Sequence, residues 1–176
     1  MITFPGSTTA IPLPLTSLPD DITSLITRSL DAFSTSLLSS ACGRDLFSHV
    51  STCLDCYSAY RDWICRIAVP QCASTSTGTS QEGAAVPPQS IARTIDEPRV
   101  ANITASYAYD ELLPCLSNCN NVDRKCPMFL AFRCPRRRVN AEQSYAFLGL
   151  DTEDGDGSAD TGPPALDRWG NRWCNG

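Results

Sequence analysis

The sequence has few residues of the types that usually catalyse reactions. It contains one histidine, His49, and neither a Gly-x-Ser-x-Gly nor a His-Glu-x-x-His motif. His49 lies in a serine-rich segment, which is typical of a surface or capping residue. No two carboxylates stand at a spacing that suggests general acid–base catalysis. The sequence therefore predicts a protein that is not an enzyme, with no catalytic residues and no cofactor.

Long apolar runs are also missing. No stretch approaches the roughly 18 apolar residues of a transmembrane helix, and the C-terminus carries no apolar tail for a lipid-anchor signal. Residues 1–6 lack the basic and apolar regions of a secretory signal. We expect an export signal to lie on a longer parent chain, because the cysteine content is typical of exported proteins.

Charge of one sign is concentrated in a single segment. The 176 residues include 19 acidic and 14 basic side chains, and residues 151–160 hold five of the acids and no base. The rest of the chain is thus balanced at 14 of each, which does not fit nucleic-acid binding. The segment faintly resembles a calcium loop, but glycine does not fall at position six and no glutamate stands at twelve. We interpret residues 151–165 as a solvated acidic loop that binds no metal.

Cysteine, by contrast, is abundant. Eight of the ten cysteines lie in two blocks, residues 53–72 and 115–134. An even number at these spacings suits a disulfide framework in an oxidising compartment. Cys53-x-x-Cys56 could be half of a zinc site or a redox pair, but zinc needs a second such pair and a thioredoxin-like motif needs a βαβ context. All ten are predicted to form disulfides: Cys42, Cys53, Cys56, Cys65, Cys72, Cys115, Cys119, Cys126, Cys134 and Cys174.

Apolar spacing predicts three helices. Residues 20–39 carry an apolar stripe at steps of three and four, and residues 53–68 carry a second one that Val69 and Pro70 end. In the second block, cysteines at steps of four and seven predict a helix that Pro127 breaks, and residues 109–113 are expected to lead into it. The stripe of the first helix consists of Ile22, Leu25, Ile26, Leu30, Phe33, Leu37 and Leu38.

The remaining segments are expected to be irregular. Residues 1–19 hold four prolines and predict an extended lead-in. Residues 73–105 predict a flexible spacer, because 11 of the first 18 are Ser, Thr, Gly or Pro. Asn102 begins a glycosylation sequon in this spacer. Residues 128–132 are expected to close against the core and residues 139–150 to form a short element. The C-terminus would be held by Trp169, Trp173 and Cys174.

The two cysteine blocks resemble the Frizzled-type cysteine-rich domain. Eight residues separate Cys56 from Cys65, and six separate Cys65 from Cys72. In the second block three separate Cys115 from Cys119, and six separate Cys119 from Cys126. Within that superfamily the chain is most similar to the fungal stretch-activated calcium channel regulatory subunit. The marks are Trp-Ile-Cys65, Val-Pro70-Gln-Cys72, Leu-Pro114-Cys115, Cys126-Pro127 and Phe132-Arg-Cys134-Pro135.

This resemblance implies a mostly α, small disulfide-rich helical domain over residues 20–176, with a Frizzled-like fold and flexible loops. It also implies the order in which the ten cysteines pair. On the Frizzled-type order the five disulfides would be Cys42–Cys72, Cys53–Cys65, Cys56–Cys126, Cys115–Cys174 and Cys119–Cys134.

The resemblance further implies an auxiliary subunit of a plasma-membrane calcium channel, placed on the extracellular face or in the secretory lumen. Its partner would be the pore-forming subunit of a voltage-gated-type channel, which would also hold it at the membrane. Two other functions stay open, a secreted lipid- or ligand-binding module and a purely structural secreted protein. The residues proposed to contact the partner are Arg124, Lys125, Arg136, Arg137 and Arg138. The alternative for Arg136–Arg138 is a solvated basic turn.

Overall fold

The computed structural model describes residues 18, 20–39, 42, 47–73, 90–94, 108–136, 140–141, 143–146 and 173–176. Three helices stand where the apolar spacing predicted them, so the described part of the chain is helical and disulfide-rich. It also contains a small antiparallel sheet. In chain order the elements are α1 (Asp20–Leu38), α2 (Cys53–Ala68), β1 (Ser90–Arg93), β2 (Tyr109–Leu112), α3 (Leu116–Lys125) and a 3₁₀ turn (Met128–Leu130).

Helix α1 covers one side of α2 with a narrower apolar face than the sequence predicted. Ile22, Phe33 and Leu37 are buried, whereas Leu25 and Leu38 are 42% and 60% exposed. Two acidic residues in the first turn favour this helix start, because the N-terminal end of the helix dipole is positive.

Helix α2 begins with a capping box. The Asp55 backbone N–H donates to the Thr52 hydroxyl at 3.1 Å, and the Thr52 N–H donates to the Asp55 carboxylate at 2.9 Å. Hydrogen bonds from the Thr52 hydroxyl and N–H hold the pKa of Asp55 below its ordinary value of 3.8. The last helical residue is Ala68, and Val69 after it has an extended backbone, as expected for a residue that precedes proline.

The sheet corrects one interpretation of the sequence and adds detail to another. Residues 90–93, within the predicted spacer, form β1, and residues 109–112, which lead into α3 as expected, form its antiparallel partner β2. On the other edge of β2, Ala73 donates to the Asp110 carbonyl and Leu112 donates to the Gln71 carbonyl, both at 2.8 Å. Pairing with β2 therefore makes residues 90–93 a strand, although the composition of the surrounding spacer predicts no regular structure.

Most of the irregular segments lie outside the described residues. This holds for residues 1–17 of the predicted lead-in, for the spacer apart from residues 73 and 90–94, and for the acidic loop 151–165. It also holds for Asn102 and Trp169.

The main core cluster joins α1, α2, α3 and the segment after α3. The Phe33 ring stacks on the Tyr60 ring at 3.7 Å between centroids. The Phe132 ring meets Trp63 edge-on at 4.9 Å and Tyr60 at 6.3 Å. Edge-to-face contacts of the kind that Phe132 makes add stability beyond the area that they bury. The buried members of this cluster are Phe33, Leu37, Cys56, Ala59, Val122 and Cys126.

A second cluster holds the C-terminus, as the sequence predicted for Trp173 and Cys174. Both side chains are buried, together with Leu113, Cys115 and Ala146. The backbone of this segment is paired as well, because the Asn175 N–H donates to the Leu113 carbonyl at 2.8 Å.

The Asn175 side chain fills a structural role that the sequence did not indicate. Its amide donates to the Arg66 carbonyl at 2.9 Å and to the Val69 carbonyl at 3.2 Å. Carbonyls in the last turn of a helix lack intrahelical partners. The C-terminal segment therefore also caps the end of α2.

The structure has four disulfides among the described residues, and one of them was not predicted. Three expected pairs are present: Cys56–Cys126, Cys115–Cys174 and Cys119–Cys134. The fourth is Cys42–Cys53, so the predicted pairs Cys42–Cys72 and Cys53–Cys65 are wrong.

The reason is geometric. Cys53 and Cys65 are the first and thirteenth residues of one continuous helix. A rise of 1.5 Å per residue places their Cα atoms about 18 Å apart, whereas a disulfide requires roughly 4.4–6.8 Å. Cys42 is bonded to Cys53 at the beginning of this helix, whereas Cys72 follows the other end. Cys65 keeps a free thiol, and Cys72 also stands outside the four disulfides.

Non-reducing peptide mapping is expected to link Cys42 to Cys53 and to recover Cys65 as a thiol that iodoacetamide labels without reduction. Burial, and then the charge of Asp62, raises the pKa of Cys65 above its ordinary value of 9.0. Because the thiolate is the reactive form, labelling should be slow at neutral pH and should accelerate above pH 9. Cys65→Ser should abolish it. A peptide joining Cys53 to Cys65 would contradict the assignment.

Candidate functional site

A group of cations lies at the end of α3. The last turn of the helix carries Arg124 and Lys125, and the chain leaves it at Cys126 in an extended conformation. Basic side chains are favoured at this position because the C-terminal end of the helix dipole is negative. The Arg124 side chain is exposed, and Lys125 is half-buried.

Two contacts hold the returning chain, which carries further cations, alongside α3. The Cys119–Cys134 disulfide ties the returning chain to α3, and Arg133 donates to the Asp123 carboxylate at 3.1 Å. Arg136, two residues beyond Cys134, is exposed and begins a turn in which its N–H donates to the Asn140 side chain at 2.9 Å. We call Arg124, Lys125, Arg133 and Arg136 the basic surface.

The basic surface only partly coincides with the residues predicted from the sequence. Arg137 and Arg138 lie outside the described residues. Arg133 was missed, although its position next to Cys134 could have signalled that a disulfide would hold it close to α3. Carboxylates offset part of the positive charge, because Lys125 interacts electrostatically with Asp55 and Arg133 pairs with Asp123.

Between the helix end and Arg136 the chain makes a short loop that is tied down at both ends. Cys126 is bonded to Cys56, and Cys134 is bonded to Cys119. We call residues 127–133 the stapled loop. It contains the 3₁₀ turn and then Ala131, whose φ of 51° is left-handed.

A cleft of about 280 Å³ lies beside the sheet. Its most distinctive feature is an ion pair, in which the Arg93 Nε donates to the Glu111 carboxylate at 2.8 Å. The Glu111 side chain is only 1% exposed. A cleft lined by a charged pair is better suited to bind a polar ligand group than the acyl chain of a lipid. The sequence did not indicate this site, because Arg93 belongs to the predicted spacer and Glu111 to the segment expected to lead into a helix. The lining residues are Ile67, Arg93, Glu111, Leu113, Pro114, Gln143, Ser144 and Tyr145.

Within the described ranges, no three His, Cys, Asp or Glu side chains come together in a way that could hold a metal ion. His49 is exposed there. The acidic loop that was weighed as a calcium site lies outside those ranges. None of the helices in the described part of the chain has the length and apolar character needed to cross a membrane.

These features define a small helical domain held together by disulfides, with a basic surface and a stapled loop at one helix end. Comparison with known families then identifies its relatives. The chain belongs to the Mid1 family, described as a stretch-activated Ca²⁺-permeable channel component, which matches residues 8–159. This confirms the resemblance to fungal stretch-activated calcium channel components.

Three curated relatives extend this result. The chain is 54% identical over 189 aligned residues to the stretch-activated cation channel MID1 of Cryptococcus neoformans, covering 99% of this chain and 30% of that protein. It is 32% identical to MID1 of Saccharomyces cerevisiae over 61% of this chain and 19% of the relative. It is 29% identical to yam8 of Schizosaccharomyces pombe over 56% of this chain and 19% of the relative. The chain thus spans less than a third of the length of each.

No solved structure matches this chain. The Frizzled-like fold therefore stays a prediction that rests on the cysteine spacing.

Proposed function

We propose that this chain is a non-catalytic, extracellular regulatory part of a stretch-activated plasma-membrane calcium channel, where it supports calcium influx. The observation that carries the proposal is membership of the Mid1 family over residues 8–159. Its partner is the pore-forming subunit of a voltage-gated-type channel, through which it is held at the membrane.

The disulfides support the extracellular part of this proposal. Four cross-links in a domain of this size are typical of proteins that mature in an oxidising compartment and remain outside the cytosol. Both sulfurs of Cys56–Cys126 belong to buried residues in the main core cluster. They are therefore part of the packing rather than exposed redox groups. In the same compartment, Asn102 would carry a glycan.

The basic surface supports a contact with the channel. Acidic residues at the outer mouth of a pore raise the local concentration of cations. An acidic rim of this kind is complementary to exposed arginines. Charged groups at the edge of an interface mainly steer the encounter between partners, so their effect depends on ionic strength.

Charge reversal at the basic surface tests the proposal in the full-length protein. We expect Arg124→Glu/Arg136→Glu to reduce co-purification with the pore-forming subunit several-fold at low salt, with a smaller difference at high salt. Calcium uptake should fall in parallel. The matched control is Arg28→Glu/Arg61→Glu, which makes the same change in charge at exposed positions on α1 and α2. Equal association and uptake for both variants would refute the role of the basic surface.

A further inference from the structure

The stapled loop divides its apolar side chains into two pairs. Leu130 and Phe132 pack against the main core cluster. Met128 and Phe129 point outward and are 80% and 51% exposed. Their separation from the core contradicts the expectation that residues 128–132 all close against it. It leaves two large apolar side chains together at the tip of a turn.

The tip is held in one shape. Its ends are fixed by the disulfides of Cys126 and Cys134, and the Leu130 N–H donates to the Pro127 carbonyl at 3.1 Å. Ala131 occupies the left-handed region, which a residue with a Cβ atom otherwise avoids. An apolar group that is already ordered before binding loses little entropy when it meets a partner. The turn therefore presents Met128 and Phe129 in a form suited to recognition.

The surroundings favour a protein partner over a lipid surface. Methionine, aromatic residues and arginine are enriched at the centres of protein interfaces, and the tip is flanked by the basic surface. Asp55 and Asp123 offset part of the charge of the four cations there. Recognition of anionic lipids usually takes clusters of about four to eight cations, and the whole chain has a net charge of −5.

We propose that Met128 and Phe129 form an apolar anchor that inserts into an apolar recess, rimmed by carboxylates, on the extracellular side of the pore-forming subunit. This rests on the proposed function and adds the residues that anchor the contact. The tip would supply most of the binding energy, as buried aromatic anchors do in other interfaces. The basic surface would supply the surrounding polar rim.

The test uses Met128→Ser/Phe129→Ser in the full-length protein. Because both side chains are exposed, the thermal unfolding of the variant should be unchanged. Its affinity for the pore-forming subunit should fall by about tenfold or more, and calcium uptake should fall with it. The matched control is Leu25→Ser/Val50→Ser, which removes apolar side chains that are 42% and 93% exposed elsewhere. It should bind as the unaltered protein does.

The outcomes distinguish a failure of the anchor proposal from a failure of the proposed function. If the unaltered protein does not co-purify with the pore-forming subunit, the proposed function fails, and the anchor with it. If the unaltered protein and the tip variant co-purify equally, the anchor is refuted and the proposed function stands. A parallel assay would use vesicles of phosphatidylcholine and phosphatidylserine. If the unaltered protein sediments with these vesicles and the tip variant does not, the tip binds lipid. This result would refute the proposed recess on the pore-forming subunit.

Discussion

Removal of the Cys56–Cys126 disulfide is expected to lower the free energy of unfolding by about 4–5 kcal/mol. The bond joins α2 to the end of α3 across a sequence separation of 70 residues. In the loop-entropy model a cross-link stabilises by restricting the unfolded chain, and longer loops give larger effects. Since small domains are stable by about 5–15 kcal/mol in total, the loss would be a large share of the whole.

The experiment compares two alanine pairs. Cys56→Ala/Cys126→Ala avoids burying hydroxyl groups in the core, and Cys119→Ala/Cys134→Ala removes a bridge of separation 15. The loop model expects the second pair to cost about 3 kcal/mol. Urea unfolding, with the other disulfides kept oxidised, measures both. A smaller loss for the 56–126 pair than for the 119–134 pair would contradict the loop-length explanation.

The helices were predictable because their apolar residues recur with the helical period and their ends carry strong signals. Pro70 and Pro127 each follow a helix at the expected position. The Thr52–Asp55 capping box at the start of α2 is a further local signal, which was not predicted. Local sequence was sufficient here because the backbone hydrogen bonds of a helix are also local.

The sheet was not predictable for the opposite reason. Each strand has four residues, too few for an alternating pattern to stand out. In addition, β1 ends at residue 93 and β2 begins at residue 109, so no short turn between them indicates a hairpin. The predicted disulfide order was taken from a resemblance. It was wrong for Cys53–Cys65 because one continuous helix holds these two residues apart. The basic surface was found only in part, because the position of Arg133 depends on the Cys119–Cys134 bridge.

Substitution of Arg93 should destabilise the fold about as strongly as a core mutation. The register pairs Ile91 with Glu111, so Arg93 and Glu111 are diagonal neighbours on one face of the sheet. The Glu111 side chain is 1% exposed and that of Arg93 is 21% exposed. Arg93→Met takes away the cation that lies 2.8 Å from the buried Glu111 carboxylate, which should lower the free energy of unfolding by up to about 3 kcal/mol.

Two further variants make this prediction specific. Arg93→Met/Glu111→Met replaces both charges with apolar side chains and should recover most of the loss, because no charge then remains buried. Arg61→Met breaks the exposed pair with Asp62, whose side chains are 53% and 59% exposed, and should cost well under about 1 kcal/mol. Urea unfolding at neutral pH measures all three. If Arg93→Met costs no more than Arg61→Met, the ion pair does not stabilise the sheet. If the double variant is no more stable than Arg93→Met, the loss comes from the packing of the arginine and not from the buried carboxylate.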